Sequence, residues 1–280
     1  MANVQHFDNL SHFADHLSAL ENSGRASRTA AAADSYSFYG GTFKDALHRA
    51  RWGGDEKTTR KIEKLVNEIE LDLPSAEVRG CVSPAVVGFL PHVQNHLAGL
   101  PDAMMTYAEE RSERAPLRIG VDVCCSGGVE AADMVRRGSA IAAFAYLAST
   151  QRPVELFAVA GMNTQTSQKT AQIPVIRLGA SPLDISAVTF ALTDPAMLRR
   201  LCFTFAEHAG RLGSSSIRWG WNSRPTNKDY LDGMHAALGF DATNPSDIFL
   251  HGGYYGDNVF GNPVAWVQDM LAKHCQQYED

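Results

Sequence analysis

Apolar positions follow two different rhythms along this chain. In the first third they recur every three or four residues. Phe7, Leu10, Phe13, Leu17 and Leu20 predict an amphipathic helix, capped by Asp8 or Ser11 and ended by Asn22, Ser23 and Gly24. Ile62, Leu65, Val66 and Ile69 predict a second helix over residues 56–71. Between them, Thr42 follows the paired glycines Gly40 and Gly41 and is placed to cap a helix over residues 43–51. Residues 77–89 are rich in Val and Gly and read as extended, with Pro84 confining them to an edge strand or a broken hairpin. Residues 92–110 read as helical pieces interrupted at Gly99 and Pro101, and a charged run over residues 109–114 follows as polar surface.

From residue 116 onward, short apolar runs alternate with longer helical patterns. Residues 117–123, 154–160, 173–179 and 247–251 predict strands. Residues 129–149 predict a long apolar helix. Ser181 as N-cap with Pro182 in the first turn opens another, running to Gly210 with a kink at Pro195. Further helices are expected over residues 229–238 and after the Asn262-Pro263 pair. Strands alternating with helices predict an α/β fold: a mainly parallel, twisted sheet with helices on both faces. The expected division is a helical N-terminal region with an edge strand or hairpin over 1–115, and the α/β domain over 116–280.

Composition narrows the setting. The chain has 280 residues, 45% hydrophobic and 20% charged, enough apolar side chain for a substantial core and unlike a disordered or collagenous sequence. No uninterrupted apolar run reaches the roughly 18 residues of a membrane span. The first ten residues lack the basic start and apolar run of a signal peptide, so a soluble, cytoplasmic protein is expected. Net charge is −6, which provides no global basic field for nonspecific nucleic-acid binding. Arg49, Arg51, Lys57, Arg60, Lys61 and Lys64 share their segment with Glu56, Glu63 and Glu68 and read as solvated helix faces. The five cysteines are odd in number and show no CxxC spacing, so neither a zinc site nor a disulfide framework is expected.

Ligands of open parallel sheets bind beyond the carboxyl ends of the strands. Here that places residues 122–128, 161–166, 179–184 and 251–257 together. The loop Asp122-x-Cys124-x-Ser126 resembles the Asp-x-Ser-x-Ser loop of von Willebrand factor A domains, over about residues 116–275. That resemblance implies a von Willebrand A-like, Rossmann-like core and a divalent cation, Mg2+, held by Asp122 and Ser126. Ser181 would stand for the family's threonine and His251 for its later aspartate. Cys124 departs from the family pattern, because a soft thiol is a poor Mg2+ ligand. The order of Phe38–Leu47, Leu97–Met105, Arg137-Gly138, Pro182–Ile185 and Pro195–Arg200 is similar to uncharacterised proteins of tailed bacteriophages. It implies a viral protein acting in the bacterial cytoplasm and supplies no catalytic residues; the expected partner of a binding or scaffold protein is another protein, phage-encoded in that setting, with nucleic acid the less favoured partner.

Two other chemistries stay open. Arg218, Trp219, Trp221 and Arg224 combine cations with aromatic rings, the pairing that stacks single-stranded bases and also occurs at protein interfaces. Cys124 or Cys125 with His251 could form a thiol nucleophile and base, as in a cysteine-dependent hydrolase, if they lie within hydrogen-bond reach. His92 and His96 are i, i+4 neighbours without a third ligand at metal spacing. The leading expectation is a non-enzymatic binding or scaffold protein.

Overall fold

The computed structural model describes residues 3–23, 27–32, 36–70, 80–87, 90–109, 115–126, 128–161, 163–164, 172–180, 183–209, 217–218, 228–253 and 258–275. In chain order its elements are β1 (Asn3–Phe7), α1 (Leu10–Asn22), α2 (Arg28–Ala31), α3 (Tyr36–Tyr39), α4 (Phe43–Trp52) and α5 (Glu56–Glu70). Then come β2 (Gly80–Ala85), β3 (Leu90–Pro91), α6 (Val93–Leu97), β4 (Met104–Glu109), β5 (Leu117–Asp122), α7 (Ala131–Gln151), β6 (Val154–Val159) and β7 (Asn163–Thr164). The chain continues through β8 (Gln172–Ala180), α8 (Ile185–Thr193), a π-helical turn (Met197–Cys202), α9 (Phe203–Ala209) and β9 (Ile217–Arg218). It closes with α10 (Lys228–Leu238), β10 (Asp247–Leu250), α11 (Asn258–Gly261) and α12 (Pro263–His274).

Two compact units result: residues 1–72 with 115–280, and residues 73–114. The helices of residues 10–70 fall in the same compact unit as residues 115–280. The α/β unit carries a five-stranded sheet in the order β1-β8-β6-β5-β10. β1 pairs β8, β6 pairs β5 and β5 pairs β10 in parallel, while β6 and β8 run antiparallel. The expected α/β class and mainly parallel sheet hold. Phe7 ends a strand, where helical spacing assigned it to α1.

Strand alternation divides the side chains between two faces. Leu117, Ile119 and Val121 pack away from α10, whereas Arg118, Gly120 and Asp122 face it. On the α10 face, Val159, Ile173, Val175, Tyr230, Met234, Leu238 and Phe240 form one apolar cluster. α7 is buried along Ala140–Ala145 and carries almost no polar stripe, as a helix packed on several sides requires. It meets α8 at Gly138, where a Cβ would lie 2.0 Å from the Leu192 carbonyl oxygen. Only glycine permits that backbone approach.

Caps explain several boundaries. Asn9, rather than Asp8 or Ser11, caps α1 by accepting from the His12 N–H at 2.8 Å. Thr42 and Asp45 form a capping box on α4. α8 starts at Asp184, whose carboxylate accepts from the Ser186 and Ala187 N–H groups; Ser181, the expected cap, lies outside the described residues. The helix stops before Pro195 and resumes as the π-helical turn, a wide turn that holds Arg199 and Arg200 inside the fold. Arg200 donates to the carbonyls of Gly41 and Thr29 at 2.8 and 2.6 Å, pinning the N-terminal segment.

The small unit is an antiparallel sheet in the order β2-β4-β3. Residues 104–109 thus form its central strand, correcting the helical reading of 92–110, of which only α6 is helical. The His92 ring caps α6 by accepting from the Asn95 N–H at 3.2 Å, so it is a local cap and not half of a metal pair.

Candidate functional site

The carboxyl end of β5 was the expected centre of chemistry. Its alternation parity turns Asp122 toward α10, and the side chain has no solvent exposure. One carboxylate oxygen accepts from the Cys124 N–H at 2.9 Å, and the other accepts a short hydrogen bond from the Tyr230 hydroxyl. Burial pushes the Asp122 carboxyl above its usual range, while Tyr230, Cys124 and the Arg137 charge pull it back. Burial and the neighbouring carboxylate raise the Tyr230 phenol well above its ordinary value.

The loop after β5 is zipped to its neighbours. Val123 donates to the Val159 carbonyl at 2.9 Å, Gly253 to that of Cys124 at 2.8 Å, and Ser126 to that of Gly253 at 3.0 Å. A parallel bridge between Cys125 and Gly253 extends the β5–β10 pairing past the strand ends. Two buried arginines hold the loops from behind. Arg137 donates to the His251 carbonyl at 2.5 Å. Arg199 donates to the carbonyls of Val129 and Phe38 at 2.7 and 3.0 Å and lies over the Phe38 ring. The N-terminus of α7 carries the acidic residues Glu130 and Asp133, which oppose an anion at that dipole end.

These contacts decide how the expected ligands behave. Asp122 is committed to protein donors on both oxygens. Ser126 is half-buried with its N–H in the zipper. The His251 ring nitrogen Nδ1 lies 2.8 Å from the Gly252 carbonyl. Ser181 lies outside the described residues. Among the described residues, no cluster of three or more His, Cys, Asp or Glu side chains could hold a metal ion. A closed carboxylate beside a buried thiol does not fit a hard cation such as Mg2+.

The thiols are equally closed. Burial drives Cys124 well above its usual value, with the Asp122 charge adding to the effect, and burial also raises Cys125 and Cys202. Cys124 donates to the Gly161 carbonyl at 3.7 Å. A nucleophile needs the opposite environment, one that favours thiolate. Of the aromatic and basic cluster, Arg218 contributes backbone pairing between β9 and β7, and Trp219, Trp221 and Arg224 lie outside the described residues. Of the basic residues of α4 and α5, Arg51 and Arg60 make the surface ion pairs with Asp15 and Glu56 at 2.8 and 2.6 Å, whereas Arg49, expected on a solvated face, is held inside by Asp194 at 3.2 Å and the Gly40 carbonyl at 2.6 Å.

A different surface carries no sequence motif. Val86, Val87, Val93, Leu97 and Leu100, all in the small unit, are between 48% and 81% exposed. β2 and β4 are antiparallel with Ala85 opposite Met104, so Val86 and Val87 project beyond the start of β4. α6 is tied to that same end: His92 N–H donates to the Ala103 carbonyl and the Asn95 amide to that of Asp102. The segments that carry these five residues therefore leave the same end of the small sheet. The available signal was charge. Gly80 to Pro101 contains no Asp, Glu, Lys or Arg, the longest such run in the chain.

A family model described as a domain of unknown function (DUF7192) matches residues 2–274. No curated protein and no solved structure matches the chain. Among the described residues, no helix is long and apolar enough to cross a membrane.

Proposed function

For this chain, which belongs to the DUF7192 family over nearly its whole length, we propose a non-enzymatic binding role exercised through the apolar end of its small unit. The α/β unit serves as the carrier, and the small unit makes the protein–protein contact. One observation carries this reading: five large apolar side chains are exposed within a charge-free run, in a chain that is 20% charged over its whole length. Exposed apolar surface of this kind marks an interaction site. The closed strand ends support it from the other side, since Asp122 and Cys124 are spent on internal hydrogen bonds. The likeness to tailed-bacteriophage proteins adds a setting, a virus-encoded protein working in the host cytoplasm.

Site-specific photo-crosslinking tests the proposal. A photoreactive residue replacing Leu97 should yield covalent protein adducts in expressing cells, while one replacing the exposed Trp52 of the α/β unit should not. Equal labelling from both positions, or none from Leu97, would count against it.

A further inference from the structure

We propose that His12 and His16 form a site for a borderline-soft divalent ion such as Zn2+, on residues that the binding role above does not use. Both lie within α1, four positions apart, so their Cβ atoms share one helix face at a separation of about 5–6 Å. That is the spacing at which two imidazoles on one helix hold a metal together. Leu10, Phe13, Ala14 and Leu17 form the buried face of α1, and the two histidines stand beside it, His12 exposed and His16 half-buried. One core ring orders the pair. Phe7, at the end of β1, meets the His12 ring edge-on at a centroid distance of 5.5 Å and the His16 ring at 5.3 Å. Imidazoles fixed in this way lose less side-chain freedom when they bind.

The surroundings also decide which nitrogen of each ring is open. Asp8 Oδ2 lies 3.4 Å from His12 Nδ1, so that nitrogen carries the proton and Nε2 presents its lone pair. A carboxylate behind a ligating histidine fixes the tautomer and makes the ring a more basic donor. His16 Nε2 lies 3.4 Å from the Gln5 amide nitrogen, a donor that faces a lone pair. Nε2 is thus the acceptor atom of both rings, and at that distance the amide is a weak partner for a metal ion to displace. Burial, together with the His12 and His208 charges, lowers the His16 pKa and keeps its ring neutral near pH 7. His92 and His96 differ, because the His92 ring spends its lone pair on the Asn95 N–H. Two imidazoles are fewer than the ligands of a closed structural site, so water completes the shell and the ion is held weakly, taken up only when added. Nitrogen donors select Zn2+, Ni2+ or Cu2+ over Mg2+.

Isothermal titration of the full, chelator-treated chain with Zn2+ is the test, with Mg2+ as the comparison ion. The wild type is expected to bind Zn2+ and not Mg2+. His12→Gln and His16→Gln should each weaken Zn2+ binding about tenfold or more, since losing even a supporting partner of a ligand costs that much. His96→Gln, on the exposed histidine of the other pair, should leave it unchanged. Substoichiometric Cu2+ should broaden the ring resonances of His12 and His16 before those of the other histidines. An unaltered circular dichroism spectrum verifies that each variant is folded. A wild type that takes up no Zn2+ overturns the proposal. Zn2+ binding that survives both substitutions, or Cu2+ broadening that begins at other histidines, also overturns it and leaves adventitious surface binding only.

Discussion

Replacing Tyr230 by Phe removes one hydroxyl and keeps the ring that packs against Val159, Met234 and Phe249. Asp122 then loses the donor on one carboxylate oxygen in a site with no solvent to substitute. The Gly252 backbone loses its hydrogen bond to the same hydroxyl. Leaving one partner of a buried hydrogen bond unsatisfied costs about 1–3 kcal/mol, and a loss of that size is expected. The pH dependence has a definite sign. Burial lifts the folded pKa of Asp122 above its unfolded value, so the stability this group contributes is full below the unfolded value and is lost as pH rises through the folded one. The Tyr230 hydrogen bond pulls that folded value down, and its removal lifts it further. The cost of Tyr230→Phe should therefore be larger near about pH 8 than near about pH 5. Urea unfolding of both proteins at the two pH values measures it. A cost below about 0.5 kcal/mol, or one that grows toward acid, would refute a structural carboxylate locked by Tyr230.

Three other outcomes follow from the same contacts. Adding Mg2+ or a chelator should leave the unfolding midpoint of the wild type unchanged, because the Asp122 carboxylate is fully buried and already accepts a hydrogen bond on each oxygen; a stabilisation that Asp122→Asn abolishes would contradict this. Gly138→Ala should cost at least about 1–3 kcal/mol, since its Cβ would sit 2.0 Å from the Leu192 carbonyl oxygen; unfolding at equal denaturant concentration reads it. Cys124, Cys125 and Cys202 should resist iodoacetamide in the native protein and react once it is unfolded, as mapped by peptide mass spectrometry; rapid native labelling of Cys124 would reopen thiol chemistry.

Much of the α/β unit was legible because its strands are short apolar runs between turn signals, and β5, β6, β8 and β10 were found that way. β1 was not. Its five residues end in Phe7, which also satisfies the helical spacing of α1. The antiparallel direction of β8 has a clue in the sequence: residues 160–171 hold no apolar i, i+3, i+4 pattern from which a crossover helix to a parallel strand could be read. β4 escaped because its apolar residues do not alternate strictly with polar ones. At the strand end, position alone made Asp122 look available. Its parity with Arg118 and Gly120 aims it beneath α10, where the distant Tyr230 claims it, and that pairing spans too much sequence to read from a local pattern. The apolar end of the small unit was readable as a missing property, the absence of charge, which motif searches do not register.

Hydrogen exchange of the intact chain, alone and in complex with the protein captured through Leu97, tests most directly where the working surface lies. Amides within residues 86–100 should slow in the complex, while those of residues 123–130 and 251–253 keep one rate throughout. Protection appearing at the strand-end loops, with residues 86–100 unchanged, would contradict the assignment of contact to the small unit.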